Sequence, residues 1–292
     1  MIRQSWHGVV LVANDSQPTP PLPKFGKPPV SEVVMSVQFD PLSGLAPIHL
    51  GRWWKDERRE RYPITEERPP LEPTREEFGP SPISEPRFNL RLLGVPPTPA
   101  VWFLTQGRTE LLQIQRDRFT RNWTKGASDQ PYPSYDNLWP AFEDDFNQFC
   151  QFLSDEGIGD PAPIQCELTY VNPIAPETEW ERHGQLDRIL LPWSGQYSEG
   201  FLSEPEDVQV AIRYKIPGPD GEPAGRLYVT VQPVWSEGPE PKVLMTLSAR
   251  GRPFGPGIRG AMAFLDRGHE WIVRAFTTLT TPAMHARWER YQ

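Results

Sequence analysis

Along residues 31–41, SEVVMSVQFDP, the positions Val33, Met35, Val37 and Phe39 alternate with Val34, Ser36 and Gln38. A period of two places each set on its own face of a pleated chain, so this stretch predicts a half-buried strand. Four apolar runs then crowd together, at 88–93, 100–107, 109–115 and 118–124. Gln106-Gly107 and Arg116-Asp117 fall where reversals are needed, so the runs predict an antiparallel meander. Residues 163–174, PIQCELTYVNPI, alternate again, with Ile164, Cys166, Leu168 and Tyr170 on one side. Three more strands are predicted at 207–217, 225–235 and 242–251, the first two joined by the hairpin loop GPDGEPAG.

In two places the period becomes helical. Leu138, Phe142, Phe146, Phe149 and Leu153 step by four, four, three and four, and Gly157 supplies the stop. Ile258, Met262, Leu265, His269, Ile272, Phe276 and Leu279 form a longer seam that Pro282 ends. A shorter helix is predicted from Ala46 or Pro47 to about Arg61, with Ser43 as its candidate cap. Residues 62–88 hold seven prolines among many charges and predict a long loop.

The order is strand, helix, meander, helix, strand, three strands, helix. Short turns between neighbours predict an α+β fold, with mainly antiparallel sheet or sheets, helices packed on one face and a long C-terminal helix. The irregular, proline-bearing stretch at 172–206 suggests a division into a proline-rich tail (1–27), an α+β half (28–175) and a second α+β half (176–292). Curved strands gripping the last helix are a candidate arrangement for that second half.

Composition sharpens this outline. Of 292 residues, 36 are proline, more than twice the usual ~5%. Much of the chain must therefore be irregular, because proline breaks helices and removes a ladder donor. The net charge of −8 disfavours nucleic acid and anionic membranes as general partners. Two cysteines in so long a chain point to a reducing compartment, and no run reaches the length of a transmembrane helix. The apolar run at 8–13 is short for a signal segment, so the expected location is cytoplasmic.

The pieces KPPVSEVVMSVQFDP, LLQIQRDRFTRNW, YPSYDNLWPAFEDDFNQFCQFL, ELTYVNPI and HEWIVRAFTTLTT, read together, resemble a sporadically distributed family of bacterial proteins. That family opens on a Pro-Pro-[Ile/Val]-x-Glu strand, continues through an Arg-Phe-x-x-Asn-Trp-like strand and places Tyr-Pro before a helix. The resemblance runs over most of residues 27–281. It implies a single folded unit of bacterial origin. It brings no established reaction, cofactor or catalytic residue to carry over.

The candidate chemistry is sparse. His7, His49, His183, His269 and His285 include no i, i+4 pair, and the cysteines have no Cys-x-x-Cys spacing, so neither metal nor cofactor is expected. There is no Gly-x-Ser-x-Gly elbow and no phosphate-binding Gly-Lys-Ser/Thr loop. Cys150 and Cys166 read as small buried hydrophobes. His269, on the apolar seam, is either a general base or a core histidine with satisfied ring nitrogens. Arg250, Arg252 and Arg259 surround glycines before the last helix, where guanidinium groups and free N–H groups suit an anion. With His269 they form the candidate ligand site.

Arg116, Arg118, Arg121 and Lys125 interleave with Phe119 and Trp123, as on a single-stranded nucleic-acid platform. Period-two geometry separates them: Phe119, Arg121 and Trp123 on one face, Arg118, Thr120 and Asn122 on the other. Arg121 is then expected near an edge, reaching outward. Arg116, Arg118, Asn122 and Lys125 remain the candidate interaction surface.

With no catalytic constellation, the leading expectation is a non-catalytic binding, recognition or regulatory partner of another protein. The alternative is an enzyme or sensor for a small anionic ligand such as a nucleotide or phosphate, its pocket between the sheet and the last helix. A nucleic-acid binder ranks third.

Overall fold

The computed structural model describes residues 20–79, 98–126, 131–196, 199–235, 238 and 240–292. The first nineteen residues and the strand expected at 88–93 lie outside the described residues. The elements are β1 (Glu32–Phe39), α1 (Pro47–Trp53), β2 (Ile64–Arg68), β3 (Ala100–Leu104), β4 (Glu110–Gln115), β5 (Arg118–Thr124), α2 (Tyr135–Asp155), β6 (Pro163–Ile174), β7 (Val210–Pro217), β8 (Pro223–Trp235), β9 (Pro241–Gly251), α3 (Gly257–Leu279) and α4 (Pro282–Arg287).

All nine strands join one antiparallel sheet in the order β2-β3-β4-β5-β1-β6-β9-β8-β7. The fold is α+β, as the pattern predicted. β1 and β6 lie side by side at the centre, with Met35 opposite Leu168 and Val37 opposite Cys166. β1 carries the meander β3-β4-β5 on its other flank, and β6 carries β7-β8-β9 on its own. One sheet therefore spans both halves of the chain.

α2 and α3 lie on one face. On that face Phe119 of β5 meets Phe142, Phe146 and Phe149 of α2, at ring-centroid distances of 5.9, 5.2 and 5.3 Å. The seam of α3 rests on β6 and β9. Gly268 lets that helix come close, because a Cβ there would lie 3.0 Å from the Cβ of Ala249.

Two differences from the sequence reading have physical causes. α1 ends at Trp53 and widens into a π-turn over Trp54–Arg58. Ser43 does not cap it. Ala46 stands at the N-cap position with Pro47 in the first turn, and the Ala46 N–H is taken by His49 Nδ1 at 3.1 Å. Residues 64–68, inside the expected loop, form the edge strand β2 against β3. An edge strand needs only one paired side, so ITEER can alternate among charges without an apolar face. Residues 69–79 then leave β2 and run extended across the sheet face opposite the helices.

Candidate functional site

Where the N-terminal segment, the start of α2, β6 and α3 converge, the described residues enclose a cavity of about 680 Å³. His269 projects from α3 and is largely buried. Its Nδ1 lies 3.1 Å from the hydroxyl of Tyr170 on β6, and that hydroxyl lies 2.9 Å from the hydroxyl of Tyr132. Tyr135, in the first turn of α2, stacks its ring on the imidazole at 3.9 Å and 5° between planes. The Tyr135 hydroxyl donates to Asp266 Oδ1 at 3.0 Å, one turn back along α3. Three tyrosines thus fix the plane and the Nδ1 side of one imidazole. His269 Nε2 has no partner among the described residues.

Burial sets the charge state here. It pulls the His269 pKa down to about 4, with a weaker opposing pull from Asp136, so the ring is neutral near pH 7. Burial also pushes the Tyr132, Tyr135 and Tyr170 hydroxyls well above the ordinary phenol range. The floor is therefore an uncharged chain of hydrogen-bonding groups. Charge enters at the exposed rim, where Lys24, Lys27 and Lys125 outnumber the single carboxylate of Asp136. Lys27 pairs with Glu289 at 2.6 Å. The apolar wall includes Phe25, whose ring sits edge-on to Phe276 at 5.4 Å. The backbone of Gly26 and Lys27 donates to the carbonyls of Glu289 and Trp288, tying this wall to the C-terminal segment.

Of the ligand residues read from the sequence, His269 lines this cavity and Arg250, Arg252 and Arg259 do not. Arg250 lies on the face away from α3, in a two-pronged pair with Glu167 at 2.9 and 3.2 Å. Arg252 reaches Asp220 at 3.3 Å near the β7–β8 turn. Arg259 is exposed in the first turn of α3, ten residues and so ~15 Å along the helix from His269. Among the described residues there is no cluster of His, Cys, Asp and Glu able to hold a metal ion. Both thiols are free, and burial pushes the Cys150 thiol up to about 12.

The arginine-rich ribbon is spent on the protein itself. Arg116 donates to the carbonyl of Leu45 at 2.8 Å. Arg118, buried, donates to Gln38 Oε1 at 2.9 Å and to the carbonyl of Glu72 at 3.0 Å. Asn122 donates to Glu32 at 2.6 Å. Lys125 lines the cavity mouth. Arg121 does not reach outward: its side chain is 4% exposed and meets the fully buried Asp145 of α2 at 3.0 Å. Arg58, at 3.1 Å, and Arg61, at 3.8 Å, approach the same carboxylate, and Glu110 bridges Arg61 and Arg121. Burial pushes the Asp145 carboxyl up while the three guanidinium groups pull against it.

Sequence reasoning missed Tyr132, Tyr135 and Tyr170 as site residues. Tyr132 and Tyr135 flank the Pro-Ser before α2, and Tyr170 is 99 residues from His269. No local spacing announces such a cluster. No family model, no curated protein and no solved structure matches the chain. No helix among the described residues is long and apolar enough to cross a membrane.

Proposed function

We propose that the protein is a cytoplasmic recognition protein, without catalysis of its own, that binds a small planar ligand bearing an anionic group. The observation that carries this reading is the cavity floored by the Tyr132–Tyr170–His269 chain. A neutral imidazole gripped at Nδ1 and stacked on Tyr135 keeps Nε2 for a ligand atom, and its tautomer follows the direction of the Tyr170 bond. Aromatic walls suit a flat ligand body, and the lysines at the mouth suit an anion held partly in water. The few convergent polar groups would set orientation, while the apolar walls would supply most of the affinity.

A thermal-shift panel of aromatic carboxylates, nucleotides and their phosphate-free analogues tests the proposal. A ligand present at a hundred times its Kd stabilises the native state by about 2.7 kcal/mol. The expected result is a rise in Tm with an aromatic anion, lost in Tyr135→Ala and in His269→Gln. No rise with any member at millimolar concentration, or a rise that both variants keep, rejects it.

A further inference from the structure

The sheet face opposite the helices carries a row of polar side chains set one per strand. Gln115 of β4, Arg118 of β5, Gln38 of β1 and Gln165 of β6 are register neighbours. All four are buried, and all four spend a polar group on residues 71–76. The Leu71 N–H donates to Gln115 Oε1 at 3.0 Å, and Gln115 Nε2 donates back to the Leu71 carbonyl at 2.9 Å. Arg118 donates to the Glu72 carbonyl at 3.0 Å. The N–H of Thr74 donates to Gln38 Oε1 at 3.0 Å, and that of Glu76 to Gln165 Oε1 at 3.2 Å.

The spacing explains the fit. Adjacent strands lie ~4.8 Å apart, so the row spans ~14 Å. Five steps of extended, proline-bearing chain at ~3.1 Å each cover ~16 Å. The segment crosses the strands, so no ladder can satisfy its backbone, and carboxamide and guanidinium groups do so instead. Every one of these contacts is to backbone and is blind to the side chains it holds. Side-chain recognition begins at Glu76, whose carboxylate pairs with Arg226 and accepts the Tyr228 hydroxyl at 2.9 Å. Two residues on, the Arg226 guanidinium lies 4.6 Å from the centre of the Phe78 ring.

What this segment lacks is an apolar anchor. Leu71 is 48% exposed and Phe78 36% exposed. Of residues 71–79, only Thr74 and Glu76 are not exposed, and both are polar; the Glu76 side chain is 4% exposed in its pair with Arg226. If the segment left, water would satisfy the glutamines beneath it, and little apolar surface would be uncovered. A brace for the fold would be expected to bury its leucine and phenylalanine. We infer that this face is a peptide-recognition groove, occupied in cis by residues 71–78, which accepts from a partner protein an extended segment of the form Glu-x-aromatic. The cis segment competes with the partner at an effective concentration on the order of millimolar, so the groove is held closed until the partner exceeds it. This inference is independent of the cavity, which lies on the helix face.

The test is fluorescence polarisation of a labelled peptide with the sequence of residues 69–79, PPLEPTREEFG, titrated with the full chain. The unmodified chain should bind weakly. Glu76→Ala, which frees the cis segment from Arg226 and Tyr228, should bind the peptide at least tenfold more tightly. Thr74→Pro, which deletes the N–H given to Gln38 while keeping an extended backbone, should act in the same direction. Adding Arg226→Ala, or changing the peptide's Arg226-pairing glutamate to alanine, should abolish the gain. The inference is overturned if both variants melt cooperatively yet bind no better than the unmodified chain, or if that glutamate does not matter. It is equally overturned if Glu76→Ala dimerises without taking up peptide, because the segment would then be exchanging between copies.

Discussion

His269 concentrates the physics of the cavity in one side chain. Its ordinary pKa is 6.5 and its folded value is about 4, because burial disfavours the cation. Between these values an unfolded chain takes up a proton that the folded one refuses. Stability is therefore fully present above pH 6.5 and is lost as pH falls towards 4, by up to about 3 kcal/mol. His285 is also shifted down by burial and adds to the same slope. Urea unfolding from pH 7 to pH 4.5 should show this loss. His269→Gln keeps an acceptor for Tyr170 and does not titrate, so most of the slope should vanish. A variant slope equal to that of the unmodified chain would show that other groups carry it. The sequence singled out His269 from its place on an apolar seam, but a seam position says only that the ring is buried. Its partners come from β6 and from the approach to α2, and no periodicity reports them. Arg121 teaches the same lesson. Parity assigned it to the face it shares with Phe119 and Trp123, and that assignment holds in the pairing of β1 with β5. Parity could not say that α2 would bring Asp145 over it, so an arginine expected to reach outward is instead buried and paired.

At the scale of elements, α3 shows how a helix is seated by what the sheet leaves out. Phe264 is fully buried against Gly225 of β8 and its register partner Gly251 of β9. A Cβ on Gly225 would lie 2.7 Å from both Phe264 Cε2 and the Arg250 carbonyl oxygen, and one on Gly251 would lie 2.4 Å from both Phe264 Cε2 and the Ala224 carbonyl oxygen. Gly225→Ala should therefore cost about 1–3 kcal/mol through overpacking, and Phe264→Leu in the same chain should restore part of it. Thermal melts of the two single variants and the double variant check this. If the costs simply add, the Arg250 carbonyl and not the ring carries the clash. The periodic elements were the legible ones: β1, β5, β6, α2 and α3 lie where their periods of two and 3.6 put them. The segment over residues 69–79 was not legible, because extended proline-bearing chain has no internal hydrogen bonds and no face to advertise. Its partners are polar residues on the far face of strands, where glutamine reads as solvent-facing. Arg118 belongs to that set: its polar-face assignment from parity was correct, yet the residue is buried by a covering segment that parity cannot foresee.

The whole molecule repeats one plan. A strand, a long connection, a three-stranded meander and a long helix occur as β1, β3-β4-β5 and α2, and again as β6, β7-β8-β9 and α3, with α1 and β2 carried by the first connection. In the sheet the two sets meet through their first strands, β1 against β6, antiparallel, so β3 and β7 lie on opposite outer flanks. Neither set closes on its own. Without its neighbour, β1 would expose a long edge of unpaired N–H and C=O groups, and so would β6, with apolar Val33, Met35, Val37 and Leu168 beside it. The cavity depends on the same union, since Tyr132 and Tyr135 come from the first set and Tyr170 and His269 from the second. The link between α2 and β6 packs Ile158 on the core and then runs exposed through Gly159 and Asp160, so a cut after Gly159 leaves that side chain with the first fragment. Fragments 1–159 and 160–292 should each self-associate or aggregate when made alone, and should form a one-to-one complex when made together. The complex should melt cooperatively a few degrees below the intact chain and should recover the stack of Tyr135 on His269, read as the perturbed His269 shift by NMR. Two fragments that each stay monomeric and melt cooperatively alone would show that the sheet is two units in contact, and that the β1–β6 seam is an interface, not the centre of one fold.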